Sequence, residues 1–435
     1  MADLIRDIDT IVIVLMENRS FDHVLGYLGL PPFNLAIEGL QKCKDARYAN
    51  RYNSQSYSSF HLSRLDMPHD PPHERSWIAS QIGGIIDGQR AMTGFVQSYY
   101  KNGQLPGPGP GVQPEVMGYF TSSEVPVTDF FARNFAVCDH WFSSIPASTQ
   151  PNRLMAMSGY TLIDGNVDLL KDQYLVYDWL NDHRVSWRVY HEGIPFFALM
   201  PRWIPRLVQE NFRGFGQLAN DVCDESDATF PEVIFVEPTY TDAPHLGTPS
   251  DDHPPSSILG GQNFLRKVYM SLIANPARWA RTVMISTYDE HGGFFDHYSP
   301  LAIATNPPPR AKYAAFDSSG VRVPGLVISP LVPRGTIYTI PLDHTSILRF
   351  LAEKFGKGEA YSDDVEQRSR VFTGKISDML SLNTPREEVL LPPGIMEGEN
   401  ANVTAFRKAA ASMIDHDVDA MTNKFPELRG FVKGI

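Results

Sequence analysis

Two short stretches constrain most of what this chain can become. Thr10–Met16 (TIVIVLM) and Thr282–Thr287 (TVMIST) are runs of apolar and β-branched residues without polar alternation. Such runs form strands buried on both faces of a mostly parallel sheet. Each stops abruptly, the first at Glu17-Asn18-Arg19-Ser20 and the second at Tyr288-Asp289-Glu290-His291-Gly292-Gly293. Further strand candidates are Ser186–Tyr190, Val233–Val236 and Gly325–Ile328, and helical patterns cover Gly261–Ala274, Ser346–Phe355 and Val403–Asn423. Asp343 and Thr345 offer N-cap oxygens for the second of these helices. Strands interleaved with helices give an α/β fold, a large mostly parallel central sheet with helices on both faces.

Composition narrows the function classes. The 435 residues carry 38 Lys and Arg against 50 Asp and Glu, a formal net charge of −12. An acidic chain does not bind nucleic acid mainly through its phosphates, so no nucleic-acid partner is expected. Three widely spaced cysteines without a CxxC signal neither a disulfide framework nor a thiolate metal site. The apolar run near the N-terminus is too short, and too acidic at its flanks, for a signal peptide or a membrane span. The expectation is a cytoplasmic protein, or one exported without a recognisable signal peptide, with no integral membrane segment. Residues 1–385 read as one domain with loop insertions at 41–70 and 103–130, followed by a C-terminal helical segment, 386–435, packed on it. The mixed charge of Val403–Asn423 suits a packed helix or the interface of a homo-oligomer.

Ligands in open α/β sheets sit beyond the carboxyl ends of the strands. If the two acid-ended strands are neighbours, Glu17, Asn18, Asp289 and Glu290 converge there. Hard oxygen donors suit one divalent metal ion, Ca, Mg, Mn or Fe, and a cation keeps crowded carboxylates ionised. The plainer alternative makes Glu17 and Asp289 helix caps or salt-bridge partners. Farther along, Ser148-Thr149-Gln150-Pro151-Asn152-Arg153 reads as a helix start, with Pro151 in the first turn and a hydroxyl at the N-cap. A threonine there faces free N–H groups, which favour an anion such as phosphate. Near a metal its hydroxyl can ionise and attack phosphorus, with Arg153 clamping the non-bridging oxygens. A plain threonine cap is the competing reading. His73 and His253 flank proline-stiffened turns (DPPHE, DDHPP), His191 follows a strand candidate, and His344 sits at a helix start. Each alone is an ordinary structural histidine; together they make a set of phosphate donors and a general acid.

The motifs ENRSFDH (17–23), TxPNR (149–153), DDHPP (251–255), YDEHGGFFDH (288–297), VPGLVISP (323–330) and LDHTSILRF (342–350) occur in one order over most of the chain. In this the chain resembles the bacterial phosphatidylcholine-hydrolysing phospholipase C and acid phosphatase family of phosphoesterases, to which plant non-specific phospholipases C also belong. The resemblance implies an alkaline-phosphatase-like α/β core and a covalent phosphothreonine intermediate. It implies Glu17, Asn18, Asp289 and Glu290 as metal ligands and Thr149 as the nucleophile that also touches the metal. His73, His253 and His191 are implied to line the phosphate pocket. His344 either reaches the phosphate or orders the helix start. The expected substrate is a phosphate monoester or a phospholipid. A strict phosphatidylcholine-type phospholipase C and a catalytically silent metal- or phosphate-binding protein stand as alternatives.

Overall fold

The structure, a computed structural model, describes residues 5, 7–41, 49–102, 104–109, 111–242 and 248–394. Eight strands form its central sheet: β1 (Thr10–Met16), β2 (Ala136–Cys138), β3 (Trp187–His191), β4 (Phe212–Gly214), β5 (Val233–Glu237), β6 (Thr282–Tyr288), β7 (Gly325–Ile328) and β8 (Thr336–Tyr338). Their spatial order is β4-β3-β5-β1-β6-β7-β2-β8. Parallel pairs join β4 to β3, β3 to β5, β5 to β1, β1 to β6 and β2 to β8. Only β7 runs against its neighbours, β6 and β2. The architecture is α/β with a mostly parallel sheet.

Adjacent β1 and β6 pair in register from Thr10 opposite Thr282 to Met16 opposite Tyr288. Every residue of both is buried. Successive strand residues point to opposite faces, so both faces of the sheet are covered. On one face Ile13 and Leu15 line a small cavity with Ala156 and Met157 of helix α2 (Thr149–Ser158) and Ile347 of α4 (Thr345–Phe355). Elsewhere α1 (Pro126–Asn134) packs against α3 (Ile258–Ile273). Buried Gln262 of α3 accepts hydrogen bonds from Val127 N and Thr128 N at 2.9 and 3.0 Å.

Several sequence expectations are corrected in detail. The segment read as a loop over 103–130 contains the start of α1, because Pro126 is preorganised for a first helical turn. Within 41–70, Asn50–Tyr52 pairs with Gln55–Tyr57, and Phe60–His61 pairs with Gly118–Tyr119. Residues 386–394 carry neither helix nor strand, and Val403–Asn423 lies outside the described residues. Ser148, not Thr149, is the N-cap of α2. His344 occupies the N-cap of α4, while the capping oxygen comes from Asp343, whose Oδ1 accepts from Thr345 N at 3.1 Å. Among the described residues, no helix is long and apolar enough to cross a membrane.

A buried ionic network ties the segment before β7 to the segments that follow β1 and β6. Arg322 donates to Asp296 at 3.0 Å and to Asp22 at 3.2 Å, and His297 bridges Asp22 at 2.7 Å and Glu38 at 3.0 Å. Burial works against charge on His297, but the charge and hydrogen bond of Asp22 outweigh it and raise the imidazole to about 9. A pKa raised on folding stabilises fully below the unfolded value of about 6.5. That contribution should fade as pH rises through about 9. Thermal unfolding midpoints followed from pH 6 to 10 should show this decline, and His297→Gln should flatten it.

Candidate active site

The register of β1 and β6 delivers Glu17 and Asp289 side by side, each one residue beyond its strand. The chain then turns sharply. Asn18 adopts φ 64°, and its N–H donates to Asp289 Oδ1 at 3.3 Å. Glu290 N donates to the same oxygen at 2.7 Å. Gly292 lies at φ 61°, and a Cβ there would sit 2.1 Å from the Asn18 carbonyl, so only glycine lets the two turns close on each other. Across them stands Thr149, whose Oγ1 donates to Asn18 Oδ1 at 3.2 Å. Asn152 holds the approach to α2, accepting from Ile145 N at 3.1 Å and donating to the carbonyl of Ala147 at 2.7 Å. Thr149, Asn18, Asp289 and Glu290 thus form one connected set.

Arg153, expected to clamp phosphate, points into the protein. Its Nη2 lies 2.9 Å from Glu17 Oε1 and 3.0 Å from the Leu15 carbonyl, and Nη1 donates to Tyr240 Oη at 2.9 Å. Nε is 3.5 Å from Asp289 Oδ2, a charge contact without hydrogen-bond geometry. The guanidinium packs on the rings of Tyr240 and Phe196. Burial opposes its charge, but Tyr240, Glu17 and Asp289 more than compensate and hold its pKa above the ordinary value. The plainer reading of Glu17 as a salt-bridge partner is therefore realised in part.

Because Arg153 stands between Glu17 and Asp289, the carboxylates do not meet at one point. Among the described residues, the sets of three or more acid and imidazole ligand atoms within 4.8 Å of one another are Asp70–His73–His253 and Asp22–Asp296–His297. Burial pushes Glu17 well up and Asp289 up to about 6, with Arg153 opposing and the neighbouring carboxylates adding to the rise. Asp289 Oδ2, Glu290 Oε1 and Asn18 Nδ2 are buried without a hydrogen-bond partner. An orphaned oxygen on each of the adjacent Asp289 and Glu290 is what a hard divalent cation satisfies. These two oxygens fit such an ion, while Glu17 is engaged by Arg153.

The histidines divide. His73 and His253 lie edge to face with ring centroids 5.5 Å apart. Their Nδ1 atoms contact the carbonyls of Pro71, at 2.7 Å, and Pro254. An Nδ1–H donated to a carbonyl leaves Nε2 as the working nitrogen. Burial lowers both imidazoles, but Asp70 and Glu290 raise His73 to about 9, and Asp70 and Asp242 raise His253. The DDHPP turn is fixed to the metal-ligand candidates through Glu17 N, which donates to Asp251 O at 2.8 Å. His191 ends β3, opposite Glu237 of β5, with Nδ1 2.7 Å from the Gly193 carbonyl. Burial lowers its pKa. His344 receives Trp141 Nε1–H on Nδ1 at 3.2 Å and contacts the Asp289 carbonyl through Nε2 at 2.6 Å. Burial lowers it to about 4, so it is a neutral brace for the Asp289 turn.

Sequence reasoning passed over three neighbours. Asp70 sits in the same DPPHE turn as His73 and sets its charge. His291 lies 3.2 Å from Glu290 through Nδ1 and 2.8 Å from Gln81 through Nε2, and its place inside YDEHGG was the available signal. Tyr240, which carries Arg153, left no signal, since only folding brings it there.

A hydroxyl near two carboxylates that each keep one unpartnered oxygen, with two imidazoles of raised basicity, at the carboxyl edge of a mostly parallel sheet, is the equipment of a hydrolase acting on phosphoric ester bonds. The model of the phosphoesterase family matches residues 8–357, and the chain belongs to that family. It is 31% identical to non-specific phospholipase C1 of Arabidopsis thaliana over 97% of this chain and 82% of that one. It is 29% identical to phospholipase C B of Mycobacterium tuberculosis over 81% of this chain and 74% of that one. With hemolytic phospholipase C of Pseudomonas aeruginosa it shares 26% identity over 89% of this chain and 58% of that one. A solved protein of the alkaline phosphatase superfamily from Vibrio parahaemolyticus aligns with a TM-score of 0.35 at 10% identity, covering 71% of this chain and 83% of that one, too low to carry an argument.

Proposed function

We propose that this phosphoesterase is a phospholipase C that also hydrolyses phosphate monoesters, working through a phosphothreonine on Thr149. The observation that carries the reading is Thr149 Oγ1, the first helical residue of α2, hydrogen-bonded to Asn18 Oδ1 beside the unpartnered oxygens of Asp289 and Glu290. Choice of a phospholipid rests on the relatives, several of which are named as phospholipases C. Glu17, Asn18, Thr149, Asp289 and Glu290 are the residues to hold the divalent ion. When bound, that ion neutralises phosphate charge and favours the ionised hydroxyl.

In this reading Thr149 Oγ1 forms a bond to phosphorus as the bond to the leaving alcohol oxygen breaks. His253, whose basicity is raised by Asp70 and Asp242, donates a proton to that oxygen. His73, raised to about 9, brings positive charge to the phosphate oxygens, and His191 is assigned to the same pocket, where its Nδ1–H is held by the Gly193 carbonyl and its Nε2 can accept a hydrogen bond. Water then attacks phosphorus with His253 as base, freeing Thr149 and the phosphorylated product. Positioning and electrostatics supply most of the acceleration.

Chelation should abolish hydrolysis, and add-back of individual cations should restore it. Affinity for the restoring ion should weaken as pH falls through about 6, where Asp289 takes up a proton. Titration calorimetry at pH 5 and pH 7.5 measures this directly. Parallel assays of an aryl phosphate and phosphatidylcholine test the substrate class. No hydrolysis of either by metal-loaded protein would make the chain a silent binding protein, and phosphatidylcholine turnover alone would make it a strict phospholipase C.

A further inference from the structure

The short hairpin Ile85–Ile86/Gln89–Arg90 presents two large apolar side chains to solvent, Ile85 66% and Ile86 63% exposed. Consecutive strand residues point to opposite faces, so the tip is apolar on both sides. A flat protein surface covers one face of a hairpin; only a medium that surrounds the tip covers both. The exposure is not that of a loose end. The turn Asp87-Gly88 has φ 51° and 82°, as a two-residue hairpin turn requires. Ala91 N donates to Gly84 O at 3.0 Å, Arg90 N to Ser299 Oγ at 2.9 Å, and the Arg90 guanidinium is held by Asp317 at 2.6 Å.

The hairpin also continues from the active site. The helix Arg75–Ile82 begins two residues after His73 and carries Gln81, which holds His291 at 2.8 Å beside Glu290. Charge selects the medium. The chain bears −12, Asp87 occupies the turn, and Arg90 is neutralised by Asp317. No free cation of the hairpin therefore favours an anionic surface.

We propose that the Ile85–Ile86 hairpin inserts into the interface of a zwitterionic phospholipid layer and holds the active site against it. The proposal rests on the phospholipase C reading for its partner, but binding can be measured without turnover. The test is co-sedimentation of chelated full-length protein with phosphatidylcholine vesicles, comparing wild type with Ile85→Ser/Ile86→Ser. Burying most of an isoleucine is worth roughly a tenfold change in partitioning, so the double variant should bind about 100-fold more weakly. Its hydrolysis of an aryl phosphate and of short-chain phosphatidylcholine below the micelle concentration should be unchanged. Phosphatidylglycerol vesicles should bind the wild type more weakly than phosphatidylcholine.

Equal vesicle binding by both proteins overturns the proposal, as does preference for the anionic vesicles. Loss of self-association in the variant, with vesicle binding unaltered, overturns it in favour of a contact between copies. A wild type that hydrolyses monomeric phosphatidylcholine yet ignores vesicles refutes the hairpin and spares the substrate reading. One that binds vesicles through the isoleucines but hydrolyses no phosphatidylcholine does the reverse.

Discussion

Thr149→Ala is expected to remove turnover on every phosphate ester, by about 10⁴-fold or more, since in the proposed phosphothreonine mechanism it deletes the attacking atom. The fold should barely register the change. Thr149 spends its hydroxyl on one 3.2 Å hydrogen bond to Asn18, and losing such a bond shifts stability by about 1 kcal/mol. Because Glu17, Asn18, Asp289 and Glu290 remain, metal bound per chain should fall little. Thr149→Ser, which keeps the oxygen, should retain turnover within about 100-fold of wild type. Single-turnover assays with an aryl phosphate, beside elemental analysis of the same samples, check both variants. Near-normal hydrolysis by the alanine variant would remove Thr149 from the nucleophile's role.

Arg153→Met should produce the largest loss of stability of any single change in the site. Removing one partner from a buried ion pair costs about 3–5 kcal/mol, since the remaining charge has no solvent to return to. Here two acids are stranded, Glu17 and Asp289, both already raised by burial with Arg153 opposing the rise. Without the guanidinium both move further up. A carboxyl group raised on folding destabilises once pH exceeds its unfolded value near 4, so the deficit should shrink toward acid pH and grow toward neutrality. Divalent cation should raise the unfolding temperature of the variant more than that of wild type, because it meets carboxylates with no competing cation. Thermal melts at pH 5 and 7.5, with and without the ion, resolve all three effects. A variant as stable as wild type at pH 7.5 would show that the acids do not depend on Arg153.

How far the site can be read along the chain depends on how local its causes are. Glu17 and Asp289 are legible because each directly follows an apolar run whose only comfortable place is the middle of a covered sheet, and the carboxyl end of such a strand is where polar groups reach a ligand. Arg153 was misassigned for the opposite reason. Its neighbours in sequence, Thr149 to Asn152, suggest a phosphate-binding turn, whereas its partners are Leu15, Glu17, Tyr240 and Asp289, contributed by remote segments. His344 likewise looks like a candidate donor until Trp141 and the Asp289 carbonyl occupy its two nitrogens.

What the amino-acid order determined by itself was the layered α/β class, the two acid-tipped strands and the hydroxyl at a helix start, since these follow from hydrophobic period and local backbone preference. Only the folded chain decided which cation the acids face first, which imidazoles carry charge, and that two isoleucines stay in water. Those outcomes depend on dielectric and distance between segments far apart in sequence, and no local pattern encodes either quantity.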